Sequence, residues 1–180
     1  MDAAEHMECL ILRCQVGDHD AFEEVFRQFQ PRIEYYVRRL SATEQGVEDL
    51  LQDIWLKVVR KIHTLKHPQA FVSWLYRIAR NELYGRGRKV TLQTISYEEE
   101  HLATHDDPDA WLLATEDVER IHHGLDRIKP HHREILILSF MEQLDHAEIA
   151  AILSCKPGTV RTRLFYAKQA LRKDMEGAHE

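Results

Sequence analysis

The sequence predicts an all-α protein: two small helical domains, a bundle and a helix-turn-helix, joined by an acidic linker. Three observations carry that expectation. Apolar residues recur every three or four positions over most of the chain, and no stretch alternates convincingly with the period of a strand. Seven Gly and five Pro in 180 residues are too few for a long all-β chain of tight turns. Between the two helical halves, residues 90–119 contain no Lys or Arg and nine acids.

The elements follow in order. Asp18 and Asp20 are suitable caps for a helix beginning near Ala21. Its apolar positions Phe22, Val25, Phe26, Phe29, Ile33, Tyr36, Val37 and Leu40 lie at helical spacing, and Pro31 is expected to kink or interrupt it. A second helix is predicted over 47–63 and a third over 69–85. His67-Pro68 separates them, because a residue before proline resists the helical conformation. Gly85-Arg-Gly-Arg-Lys89 breaks the third helix, and 90–108 has weak periodicity and reads as a linker. Helices resume over 109–127, 130–142, 146–153 and 157–174. The domains are therefore placed at 1–89 and 109–180.

Composition narrows the function. No apolar run approaches the ~20 residues of a membrane span, and the acidic N-terminus lacks a basic-then-apolar signal. A cytoplasmic protein is the expectation. Cys9, Cys14 and Cys155 are odd in number and form no C-x-x-C, which disfavours a disulfide framework or thiolate zinc site. Cys9 and Cys14 read as buried or incidental thiols rather than a redox switch. Of twelve histidines, the pairs His122-His123 and His131-His132 are adjacent and would point ~100° apart on a helix, a poor arrangement for joint ligation. His101, His105 and Asp106 fall in the linker. No metal, cofactor or catalytic residue is expected, and no P-loop, nucleophile elbow or histidine–carboxylate zinc motif occurs.

The net charge of −6 hides a segregation of charge. Without the nine acids of 90–119, 24 basic residues face 21 acidic ones, and 156–173 holds six basic residues and no acid. Local patches, not the total, decide what a surface binds.

That basic stretch belongs to a helix-turn-helix pattern. Asp145 followed three residues later by Glu148 is a capping box opening a short helix with Ile149, Ala150, Ile152 and Leu153. Ser154-Cys155-Lys156 then leads to Pro157, which suits the first position of a longer helix. Val160, Leu164, Ala167 and Leu171 form its inward stripe. Arg161, Thr162, Phe165, Tyr166, Gln169, Arg172 and Lys173 lie opposite, either as a base- and phosphate-reading face or as a solvated basic face.

Two faces stand out in the N-terminal half. On 47–63, Val47, Leu50, Leu51, Ile54, Val58 and Ile62 form the core stripe. Asp49, Gln52, Asp53 and Arg60 surround Leu56 on the far side, which suits a partner helix or is an ordinary exposed leucine. On 69–85, Phe71, Leu75, Ile78 and Ala79 form the core stripe, and Ser73, Arg77, Arg80, Asn81 and Tyr84 lie opposite. From Arg77 to Lys89 there are five basic residues and one acid, Glu82. With Trp74, Tyr76 and Tyr84 interleaved, this is either a single-strand nucleic-acid surface or aromatic core packing beside a solvated edge.

Asp20-Ala-Phe-Glu-Glu24, Val47-Glu-Asp-Leu-Leu-Gln-Asp53 and Phe71-Val-Ser-Trp-Leu-Tyr-Arg-Ile-Ala-Arg-Asn81 resemble region two of a bacterial RNA polymerase sigma factor of the sigma-70 family, extracytoplasmic-function (ECF) group. Ile128-Lys-Pro-His-His-Arg-Glu-Ile-Leu136, Ala147-Glu-Ile-Ala150 and Gly158-Thr-Val-Arg-Thr-Arg-Leu164 resemble region four. The resemblance implies a non-enzymatic sigma factor that binds core polymerase and opens promoter DNA. The alternative is an autonomous helix-turn-helix regulator whose N-terminal half senses or dimerises. By resemblance, Glu48, Asp49, Gln52, Asp53, Leu56 and Arg60 dock on the β′ clamp helices, with the β subunit a further contact. The loop around His63–Pro68, with Ser73, Trp74, Arg77, Arg80, Asn81, Tyr84, Arg86, Arg88 and Lys89, would open the minus-ten element, Asn81 helping to hold an extruded base. Lys156, Gly158, Thr159, Arg161, Thr162, Arg163, Phe165, Tyr166 and Gln169 would read the minus-thirty-five duplex. An anti-sigma factor is an expected partner, and the linker would set the distance between the two DNA readers. Some positions depart from the family's pattern: Gly46-Val47 before Glu48, Glu82 on the core stripe, Lys156 where a hydroxyl cap is common, and Phe165-Tyr166 in place of basic residues or histidine.

Overall fold

The computed structural model describes residues 3–86 and 118–177, which fall in two separate compact units divided after Val90. All regular structure among the described residues is helical.

The first unit holds α1 (Ala3–Gln15), α2 (His19–Leu40), α3 (Val47–Lys61) and α4 (Phe71–Arg86). Short 3-10 turns at Ile62–Thr64 and Pro68–Ala70 join the last two. α2 starts where the sequence indicates: Asp18 is its N-cap and accepts from the Ala21 amide at 3.1 Å. Arg13 of α1 pairs with the same carboxylate at 2.8 Å. Asp20 lies within the first turn rather than capping it.

Of the kink or interruption expected at Pro31, the interruption does not occur: α2 runs through it from His19 to Leu40. Pro31 sits on the exposed face, so the carbonyl one turn earlier, deprived of its helical partner, can be hydrated. Val25 and Phe29 before it and Ile33, Tyr36 and Val37 after it are all buried, and this continuous stripe outweighs the local cost. α1, for which the sequence reading gave no bounds, buries Leu10, Ile11 and Cys14 against α2 and the 3-10 turns.

Edge-on aromatic pairs close this core. Phe29 meets Phe71 at 5.3 Å between centroids, and Tyr36 meets Tyr76 at 5.2 Å. Tyr76 is therefore a wholly buried core residue and no part of a nucleic-acid surface. Ile78, expected in the core, is only half-buried. Glu82 is carried near the α3–α4 contact by its partner, Lys57 of α3, whose ammonium it binds.

The second unit holds α5 (Val118–Arg127), α6 (Pro130–Leu136), α7 (His146–Leu153) and α8 (Pro157–Gly177). The part of the predicted 109–127 helix before residue 118 lies outside the described residues, as does the linker 90–108. α5, α6 and α7 all pack on α8. The helix expected over 130–142 is α-helical only to Leu136 and continues as a π-helical turn, Ile137–Met141. Arg133 reaches back to the carbonyls ending the preceding helix, donating to Leu125 O at 2.5 Å, Asp126 O at 2.7 Å and Ile128 O at 3.2 Å. Those are carbonyls with no partner inside their own helix.

Candidate docking and nucleic-acid interfaces

On α3 the wheel arithmetic holds: Val47, Leu50, Leu51, Ile54, Val58 and the following Ile62 are buried. Glu48, Asp49, Gln52 and Arg60 are exposed around Leu56, which is 44% exposed, and Asp53 is half-buried. Val59, 51% exposed, extends the apolar part of this face one turn further.

Beside that face runs a groove of about 520 Å³ between α2 and α3. Phe22, Phe26, Leu51, Trp55, Leu56 and Val59 supply its apolar lining, with Gln30, Glu34, Arg38, Glu48 and Gln52 around them. Trp55 forms its floor, with Phe26 at 4.8 Å and Phe22 edge-on at 6.1 Å. The indole N–H donates to Gln30 Oε1. At the rim, Arg38 is held by Glu34 at 2.8 Å and by Glu44 at 2.5 Å. Sequence reasoning missed this groove because it grouped Phe22 and Phe26 with Val25 and Phe29 as one set of apolar positions at helical spacing. The signal was present: Phe22, Phe26 and Gln30 form a row parallel to Ala21, Val25 and Phe29, and only the latter row is buried in the bundle.

On α4, Arg77 and Asn81 are exposed one turn apart, and Ser73, Trp74, Arg80 and Tyr84 are half-buried along the same side. Arg80 lies over the Tyr84 ring at 4.9 Å, a cation–π contact that keeps both flat groups at the surface. Ser73 donates to Ala70 O at 3.0 Å, and Trp74 leans on Phe71 at 6.1 Å, so both are partly engaged in local packing. The helix ends at Arg86, and Arg88 and Lys89 lie outside the described residues. Before the helix, His63, Thr64, Lys66 and His67 are exposed on the loop while Leu65 is buried beneath them.

In the second unit the predicted capping box is formed. Asp145 Oδ1 accepts from the amides of Ala147 at 2.7 Å and Glu148 at 2.8 Å, and Glu148 returns by accepting from the Asp145 amide at 2.9 Å. Ile149, Ala150, Ile152 and Leu153 of α7 are buried, as are Val160, Leu164, Ala167 and Leu171 of α8. The intervening turn passes through Ser154 in the left-handed region, at φ 53°. Lys156, Gly158 and Arg161 are exposed at the start of α8, and Thr159, Thr162 and Arg163 are half-buried beside them. Around Gly158 a hypothetical Cβ would meet nothing within 4 Å, so this end of the helix is open to close approach. Phe165 and Tyr166 pack edge to face at 5.5 Å and are half-buried. Gln169 is exposed but lies roughly 16 Å further along the helix axis than Gly158 at ~1.5 Å per residue, separate from the leading cluster.

Behind α8, burial pushes the His132 imidazole down to about 4, helped by His131 and Lys129. His131 is lowered by burial, then by Lys129 and Arg163. The neutral rings pack against one another at 4.3 Å between centroids. Cys14 is buried and its thiol is pushed up to about 11 by that burial, whereas Cys9 is exposed and Cys155 half-buried. Among the described residues no group of three His, Cys, Asp or Glu could hold a metal, and no helix is long and apolar enough to cross a membrane.

A helix-turn-helix domain paired with a second helical domain that carries both an apolar groove and a basic aromatic helix defines a class: DNA-directed proteins that work with a partner. Comparison with known proteins makes the class specific. Residues 25–91 match the family model Sigma-70 region 2, and residues 119–171 match Sigma-70, region 4. The chain is 30% identical over 183 residues to the RNA polymerase sigma-H factor of Pseudomonas aeruginosa, covering 96% of this chain and 95% of that one. It is 27% identical to the ECF RNA polymerase sigma-E factor of Haemophilus influenzae, covering 94% and 95%. Among solved structures it resembles the sigma factor RpoE of Bartonella quintana in complex with the anti-sigma factor NepR, with a TM-score of 0.63, 25% identity and coverage of 86% and 96%. The chain belongs to the sigma-70 family, as an ECF RNA polymerase sigma factor of transcription initiation. Its relatives are sigma factors, which are not enzymes in the catalytic sense.

Proposed function

We propose that residues 1–89 dock on core RNA polymerase and open the minus-ten element, that residues 109–180 bind the minus-thirty-five element as duplex, and that 90–108 links them. The observation that carries this reading is the outward side of α3. There Glu48, Gln52 and Leu56 line an apolar groove floored by an aromatic side chain, and Asp49 and Arg60 are exposed on the same helix, the composition of a helix-docking surface. The β′ clamp helices are its partner, and the β subunit is a further contact.

On the DNA side, Arg77, Arg80, Asn81 and Tyr84 would hold the unpaired minus-ten strand, with Arg86, Arg88 and Lys89, next in the sequence, adding positive charge. Ser73 and Trp74 support that surface. The exposed leading end of α8, from Lys156 and Gly158 to Thr159, Arg161 and Thr162, would enter the major groove, with Arg163, Phe165, Tyr166 and Gln169 along its flank. The factor acts in the cytoplasm, where core polymerase resides. An anti-sigma protein is the expected regulator, in keeping with the complex formed by the Bartonella relative.

The direct test is transcription in vitro with core polymerase, using start sites mapped after overexpression and aligned for a shared pair of spaced upstream elements. Initiation at those sites only when the chain is added supports the reading. Failure of the purified chain to co-migrate with core polymerase refutes it.

A further inference from the structure

α1 lies before the residues that match the sigma-70 region 2 model, yet it reaches the loop between α3 and α4. Gln15, half-buried at the end of α1, donates from Nε2 to Ile62 O at 3.0 Å and to Leu65 O at 2.6 Å. These carbonyls bracket the 3-10 turn that ends α3. A side-chain amide has two N–H donors, enough for one to each oxygen. Gln15 thus gives Leu65 O a side-chain donor and adds a second donor to Ile62 O, tying the turn that follows α3 to the end of α1.

Other bonds reinforce the frame. The Leu65 amide donates to Ile62 O at 3.1 Å, Thr64 Oγ1 to Lys61 O at 2.6 Å, and the Ala70 amide to His67 O at 2.9 Å. The loop is thus held at its base while His63, Thr64, Lys66 and His67 remain exposed at its crest.

We propose that Gln15 is a positioning residue for promoter opening: its amide holds the 63–67 loop in the shape that receives an unpaired minus-ten base. This rests on the minus-ten role proposed above. Extruding a base from duplex DNA is costly, and a loop that had to be ordered at the same moment would add its own entropic cost to that step. A loop already fixed by Gln15 avoids that addition. The side chain acts through the loop backbone and not on DNA.

The test uses holoenzyme assembled from core polymerase and the full chain. The probe is a fluorescein-labelled single-stranded DNA carrying the non-template minus-ten sequence of a promoter mapped as above. Gln15→Met keeps the length and helix preference of the side chain and removes both donors, while Gln15→Lys retains N–H donors at similar reach. The Met variant is expected to bind the strand about 5- to 30-fold more weakly, as for two lost hydrogen bonds. The Lys variant should recover to within about threefold of the parent. Core-polymerase affinity should stay at the parental value in both, whereas the Tm of the Met variant should fall by roughly 4–8 °C for the lost bonds and that of the Lys variant by less. Unchanged strand binding by the Met variant overturns the proposal. So does a parallel fall of strand binding and core affinity, which would reduce Gln15 to general support of the fold. A parental holoenzyme that does not retain the strand would sink the minus-ten reading itself, a result distinct from either.

Discussion

Replacing Leu56 with arginine separates docking from folding on α3. Leu56 is 44% exposed, so a partner can still cover a little under half of its surface. Full burial of a leucine is worth about 1.5–3 kcal/mol, which gives this site about 0.7–1.3 kcal/mol of apolar binding energy. Arginine forfeits that and places a cation against the groove containing Trp55 and Val59, one turn from Arg60. Desolvating an unpaired charge there costs several kcal/mol in principle. Even with partial escape to the rim, the loss should reach about 2–3 kcal/mol, or roughly 30- to 150-fold in affinity. The fold should lose at most about 0.5–1 kcal/mol, because the arginine stem can cover the same neighbours. The assay is fluorescence anisotropy of the labelled chain titrated with core polymerase, alongside thermal unfolding. Leu12→Arg on α1, at a residue 52% exposed on a different helix, is the control and should bind normally. A Leu56→Arg chain that stays folded and binds core polymerase within about threefold of the parent would refute the assignment of this face.

Three further outcomes follow from the second unit. Asp145→Ala removes the two accepted amide bonds at the start of α7 and should cost about 1 kcal/mol, seen as faster hydrogen exchange at Ala147 and Glu148; unchanged protection would contradict the cap. Ser154→Gly relieves a left-handed non-glycine residue and should gain about 0.5–1 kcal/mol, raising the Tm of this unit by roughly 3–6 °C, and a lower Tm would count against it. His132 has a folded value near 4 against about 6.5 when unfolded, so the unfolded chain takes up the proton first on acidification. Its contribution to stability is therefore full above about pH 6.5 and is lost as the pH falls toward 4. Melting curves across that window should be flatter for His132→Gln, and equal slopes for the two proteins would exclude the effect.

The helical elements were legible wherever one apolar stripe was continuous and its start was capped. α7 and the inner side of α8 follow their wheel positions residue by residue, because α7 opens on a formed capping box and α8 turns a single apolar stripe toward the helices packed on it. That Pro31 would leave α2 uninterrupted was not legible, because its local cost is fixed while the burial that offsets it depends on contacts distant in the chain. Tyr76 was ambiguous because a tyrosine among arginines looks alike whether its ring faces Tyr36 or solvent. The groove and the Gln15 bonds were invisible for another reason. Both arise between helices, from residues 25 to 50 positions apart, and helical periodicity says nothing about which rows of two helices will face each other.

The link between Lys57 and Glu82 has a mechanical consequence. It adds an ionic tie to an already packed pair, so α3, proposed to meet the polymerase, and α4, proposed to meet the promoter, are coupled as parts of one plate rather than jointed like a hinge. On that proposal, a tilt imposed on one would be passed to the other with little slack. An inhibitor of this unit would then work best as a cover laid over the plate, since prising its two helices apart would mean breaking their shared core.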